Sequence, residues 1–166
     1  MSKSAALRLS GLAAMAGGIL MIPAGIAWAY PAWSWVSVIG WILLTFGLMG
    51  TYSYQVDESG LPAFLGFIAM VAGIPFMVGQ GRLAGLDYYA LGATLSAVGI
   101  ILLAIGTLRG GRFPRWTAWV WFATIAVGVP AMFLAGPLAM AIGLLASAGL
   151  GLGFVGTGCT LWTRLR

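Results

Sequence analysis

The 166-residue chain has no histidine and no asparagine, a single cysteine at Cys159, and three acids, Asp57, Glu58 and Asp87. Each shortage removes a class of chemistry. Metal centres are built from clusters of His, Cys and carboxylate, and three scattered acids do not supply one. Histidine-ligated haem or chlorophyll is excluded with them. Nucleophilic catalysis needs a base beside the nucleophile, and Cys159 has no histidine to serve it, so a buried structural cysteine is expected. An intrachain disulfide needs a second cysteine. Asp57 and Glu58 are adjacent, so on a helix they point about 100° apart; Asp57-Glu58-Ser59-Gly60 reads as a solvated turn. Gly110-Gly111 lacks the strand and flanking pattern of a phosphate-binding loop. No enzymatic activity, cofactor or metal is expected.

Charged residues make up only 7% of the chain, against about 25% in an ordinary soluble domain. What fills their place is apolar: 61% hydrophobic residues and a mean hydropathy of +1.04. No soluble fold of this size hides that much apolar surface, so the solvent is lipid. Six apolar runs, near 9–30, 33–54, 61–81, 88–108, 116–134 and 137–161, are each long enough to cross a hydrocarbon core of about 30 Å at about 1.5 Å per residue. Backbone groups in lipid must be satisfied internally, so the runs are helices. The sequence therefore predicts an all-α polytopic membrane protein: one domain, 1–166, of six transmembrane helices in three antiparallel hairpins. Lys3 and Arg8 before an apolar run, with Ala27-Trp28-Ala29 after it, also fit a signal peptide. The run is long enough to span, which favours a retained helix.

The hairpins, 9–54, 61–108 and 116–161, share a pattern. Ala69-Met-Val-Ala-Gly-Ile-Pro75 aligns with Thr124-Ile-Ala-Val-Gly-Val-Pro130, and the same offset reaches the first helix, with its proline at Pro23. Proline removes a backbone hydrogen bond and clashes with the preceding turn, so kinks are expected at Pro23, Pro75 and Pro130. Pro31, Pro62, Pro114 and Pro137 mark helix starts or turns.

Glycine recurs at seven-residue spacing: Gly11, Gly18 and Gly25; Gly40 and Gly47; Gly66 and Gly73; Gly92, Gly99 and Gly106; Gly136 and Gly143; Gly149 and Gly156. That period holds one stripe against a partner helix, and a missing Cβ lets two backbones approach. Gly18, Gly47, Gly73, Gly92, Gly99 and Gly106 are the expected packing positions.

The net charge is +5. With the N-terminus inside, the inner loops and ends hold Lys3, Arg8, Arg109, Arg112, Arg115, Arg164 and Arg166, and the outer side holds Arg82 alone. This asymmetry places both termini in the cytoplasm. The basic residues sit at helix ends, so a nucleic-acid partner is not expected. Trp28, Tyr30, Trp33, Trp35, Tyr88 and Tyr89 mark the outer interface, and Tyr52, Tyr54, Trp116, Trp119 and Trp162 the inner one. Arg109, Arg112 and Arg115 are topology markers first, and contacts for anionic lipid headgroups or an acidic partner second. Arg82 and Asp87 share one outer loop, with Gln80 just below, and read first as an ion pair there; with Pro75 and Gln80 they would otherwise frame an outer cavity.

Two functions fit. The first is an accessory or structural subunit of a prokaryotic plasma (inner) membrane, packed against lipids and other membrane subunits or a second copy of itself. The alternative is a small carrier or substrate-capture protein for an apolar small molecule. Six helices in this length, with Ala14-Met15-Ala16-Gly17-Gly18 on the first, resemble in size and topology the substrate-capture components of energy-coupling-factor vitamin transporters. Kinked outer halves of the first, third and fifth helices would frame an outward cavity for an apolar ligand.

Overall fold

The computed structural model describes residues 2–24, 34–78, 81–83, 85–131, 133–134 and 136–164. Gln80, Trp28, Tyr30, Pro31, Trp33 and the Ala27-Trp28-Ala29 pattern lie outside the described residues. Among the described residues the fold is built on five helices: α1 Lys3–Ala24, α2 Ser34–Val78, α3 Tyr88–Gly110, α4 Arg115–Ala131 and α5 Gly136–Arg164. A minimal antiparallel pair, β1 Arg82–Leu83 and β2 Leu86–Asp87, precedes α3. Four helices, α1, α2, α3 and α5, are long and apolar enough to cross a membrane.

The helix count differs from the six apolar runs because the second and third emerge as one element, α2, of 45 residues. Gly60 interrupts it with φ 66° and ψ −165°, a region essentially restricted to glycine. Two arms result, 34–59 and 61–78. Tyr52 stacks on Phe67 with ring centroids 4.9 Å apart. In an unbroken helix those residues would stand roughly 22 Å apart, so the chain reverses at Gly60. The expected Asp57–Gly60 turn is thus confined to its last residue: Asp57 and Glu58 remain helical and exposed, and Ser59 is buried.

The helix ends follow local chemistry. Asp87 caps α3, its Oδ2 accepting from the Ala90 N–H at 3.3 Å. Gly111 closes α3 in the left-handed conformation, φ 63°, donating its N–H to the Thr107 carbonyl. Pro114 lies just before α4, and its carbonyl accepts from both the N–H and the hydroxyl of Thr117. Pro23, Pro75 and Pro130 lie inside α1, α2 and α4, within the last turn of the described part of each.

Packing follows the glycines. A Cβ at Gly47 would lie 2.6 Å from Ala14 on α1, and one at Gly18 would lie 2.5 Å from the Gly151 carbonyl on α5. The 61–78 arm meets α3 in the same way. A Cβ at Gly92 would lie 2.6 Å from the Met77 nitrogen, one at Gly73 2.6 Å from the Ser96 hydroxyl, and one at Gly106 2.5 Å from Ala63. These approaches bring a bare backbone against a facing backbone or a small side chain, which yields the dispersion contacts that hold helices together in lipid. All these pairs are antiparallel, as the residue orders require. Leu44, Leu48, Leu103, Trp121 and Phe154 fill the centre, fully or almost fully buried.

Charge collects at one end of the bundle. Arg112 pairs with Glu58, Arg164 donates to the Arg112 carbonyl at 3.0 Å, and the Arg8 guanidinium lies 4.4 Å from the Trp162 ring centroid. Arg109 lies in the last turn of α3 and Arg115 begins α4, so both belong to this basic end; Cys159, expected to be buried, is exposed on α5.

Candidate ligand cavity

At the opposite end the five helices splay around a cavity of ≈ 860 Å³. Small residues make it. Ala93 and Ala97 on α3, Gly128 on α4, and Ala139, Gly143 and Ala146 on α5 all border it, and none has a side chain long enough to fill the space. A Cβ at Gly143 would meet nothing within 4 Å. The floor is larger and apolar, with Trp41, Met70, Ile100 and Leu150. The space is open to the outside rather than enclosed, and its volume falls within the usual small-molecule range of about 300–1,000 Å³.

The polar groups on the wall are few. Ser147 donates to the Met21 carbonyl, tying α5 to α1. Ser96 donates to the thioether sulfur of Met77 at 3.4 Å, a weak acceptor. Thr124 borders the cavity, is nine-tenths buried, and its hydroxyl has no hydrogen-bond partner. Among the described residues the one charged side chain on the wall is Asp87, already engaged at the α3 cap.

Beneath the floor lies a dry layer of Leu44, Leu48, Leu103 and Phe154, with the Trp121 ring 5.2 Å from that of Phe154. A buried polar layer follows. Gln55 Nε2 donates to Thr107 at 3.3 Å, and Thr51 meets Thr157 at 3.5 Å. Gln55 Oε1 and the Ser59 hydroxyl have no partner. The cavity and the basic end are thus separated by an apolar plug and a polar collar.

Of the residues expected at an outer cavity, Asp87 lines it. Pro75 and Arg82 are exposed and off the wall, and Gln80 is outside the described residues. Arg82 stands opposite Asp87 in the β1–β2 register. Among the described residues, however, the ion pair is Glu58–Arg112, at the other end. Met21, Trp41, Met77, Ser96 and Thr124 were not singled out by the sequence. One signal points to some of them: Ser96 lies on the Gly92–Gly99 stripe, and Met70 and Met77 repeat its seven-residue spacing.

The three arginines form no common pocket with the cavity. Arg112 is committed to Glu58, with its guanidinium 5.3 Å from the Tyr54 ring centroid. The Glu58 hydrogen bond is the chief cause holding the Arg112 pKa above its ordinary value. Arg109 and Arg115 are exposed. No three His, Cys, Asp or Glu side chains gather among the described residues. No protein-family model, curated protein or solved structure matches the chain.

Proposed function

We propose that this chain is a non-enzymatic integral membrane protein of a prokaryotic plasma membrane, with its basic end in the cytoplasm, that captures an apolar small molecule in the cavity at its outer end. The supporting observation is the cavity itself: ≈ 860 Å³ walled by alanine, glycine and a few serines, above an apolar floor. The reading as an accessory subunit has less behind it. Exposed apolar side chains such as Trp119 and Leu145 are covered by lipid tails without any protein partner.

The test is binding of N-phenyl-1-naphthylamine, an apolar dye that brightens on leaving water, to purified protein in nanodiscs. A saturable signal above that of empty nanodiscs is expected for the wild type. Gly143→Phe projects a ring into the cavity from a position with free space around its Cβ. It should abolish the saturable signal while leaving thermal unfolding cooperative. Saturable binding of equal affinity in both proteins would sink the capture reading.

A further inference from the structure

We infer that the cavity fills sideways from the membrane: its guest is a molecule dissolved among the lipid tails, and it passes between the outer halves of α3 and α4. The inference rests on the capture reading and adds the guest's source and route to it.

The α3–α4 seam is the one that no glycine draws shut. Of the four pairs of consecutive helices, these two touch least over the described residues. Gly92, Gly99 and Gly106 of α3 all face the 61–78 arm, and Gly128 of α4 faces Ala146 of α5. No described glycine brings the α3 and α4 backbones together. The two helices are joined at the basic end by the short segment 111–114. They pack over their inner halves, where Ile100, Leu103 and Ala104 share one buried cluster with Ala118 and Trp121. Further out, Ala93 and Ala97 on α3 and Ile125 and Val129 on α4 border the cavity instead. Val129 is also 40% exposed, so it marks a place where the wall is open to the outside and to the cavity at once.

Depth decides what lies outside that opening. With the arginines at the basic membrane face, Val129 stands about 21 Å along α4 from Arg115, and Ala97 about 18 Å along α3 from Arg109. Both distances fall short of a hydrocarbon core of about 30 Å, and any tilt shortens them further. The opening therefore faces lipid tails.

The rim above it is apolar too. The 17 residues of α4 extend about 26 Å, and the chain turns at Pro130, whose carbonyl accepts from the Phe133 N–H. Phe133, Leu134 and Leu138 follow that turn, all exposed, and lipid is the solvent that covers them. The opposite rim is polar: Asp87 borders the cavity, with Arg82 opposite it in the β1–β2 register. An apolar molecule leaves water for the bilayer before it meets either rim, so the α3–α4 side is the one it reaches from its own solvent.

The experiment follows dye release. Val129→Cys, in a Cys159→Ala background, is loaded with N-phenyl-1-naphthylamine in nanodiscs, labelled with N-benzylmaleimide, and mixed with an excess of empty nanodiscs. The added ring should obstruct the seam and slow release about tenfold, the effect of a barrier raised by about 1.4 kcal/mol, with the bound dye retained. Two other exposed positions are labelled in the same way. Ser34→Cys lies on the cavity wall at the outer end of α2, and Leu145→Cys lies on α5 away from the wall. Neither label should change the release rate. Release slowed as much by the Ser34 or the Leu145 label as by the Val129 label overturns lateral entry while leaving capture standing, and so does expulsion of the dye by the Val129 label. A dye that never binds saturably to the unlabelled proteins overturns the capture reading and the inference with it.

Discussion

At Gly99 the packing of two helices comes down to one absent methyl group. A Cβ there would lie 2.8 Å from the Met70 nitrogen and 2.9 Å from the Gly66 carbonyl. Those are backbone atoms of the facing arm, and they give way only if the whole arm moves. Leu103, one turn further on, is fully buried. Its truncation to alanine leaves a void worth about 2–5 kcal/mol but disturbs no backbone. Gly99→Leu is therefore expected to lose the cooperative thermal transition in detergent, whereas Leu103→Ala lowers its midpoint and keeps it cooperative. Equal midpoints for the two variants would contradict this account. The seven-residue glycine stripes were visible in the sequence because a missing side chain is itself a sequence fact. The polar residues of the cavity were not. A threonine in an apolar helix reads the same whether it bonds its own backbone, as Thr94 does, or stands unpartnered like Thr124. Only the tertiary arrangement separates the two.

Among the elements, α2 has the most to explain. Straight, its 45 residues would extend about 68 Å, more than twice the thickness of a hydrocarbon core of about 30 Å. Gly60 resolves the conflict by reversing the chain. The apolar runs indicated a break between residues 54 and 61, but the helix continues nearly to its far edge. The acids there are exposed, as a solvated segment requires, but they are helical rather than in a turn. Arg112 reaches Glu58 from 54 residues away, and a charge so paired can ride on the last turn of a helix. The strain at Gly60 is conformational: a Cβ would meet only Pro62 Cδ, at an ordinary 3.9 Å. Gly60→Ala is expected to cost about 1–3 kcal/mol, the usual cost of a non-glycine residue in a sparsely populated region. Gly111→Ala, at a left-handed cap with open space around it, should cost about 1 kcal/mol. Thermal unfolding of both proteins checks the order, and a Gly60→Ala variant as stable as wild type would mean that the reversal does not depend on glycine.

For the molecule as a whole, the decisive question is which way the cavity faces. The charges are segregated along the bundle axis. Arg8, Arg109, Arg112, Arg115 and Arg164 share one end with Glu58, while Arg82 and Asp87 lie at the other, beside the cavity. Exposed Trp116 and Trp119 sit near the basic end, and exposed Trp35 and Tyr89 near the cavity, as expected of side chains that settle at both interfaces. Basic residues flanking spans are retained in the cytoplasm, so the cavity would open outward. The segregation of charge was legible early, because the charge bias needs only the approximate ends of the apolar runs. The cavity needed the fold, since no single helix contains it. The orientation is testable in intact cells with a membrane-impermeant maleimide, in a Cys159→Ala background so that only the introduced thiol reacts. Arg82→Cys should label without permeabilisation, and Ser2→Cys only after it. The reverse pattern would turn the cavity toward the cytoplasm. Its ligand would then be drawn from the cell interior, and uptake from outside would have to give way to intracellular capture or export.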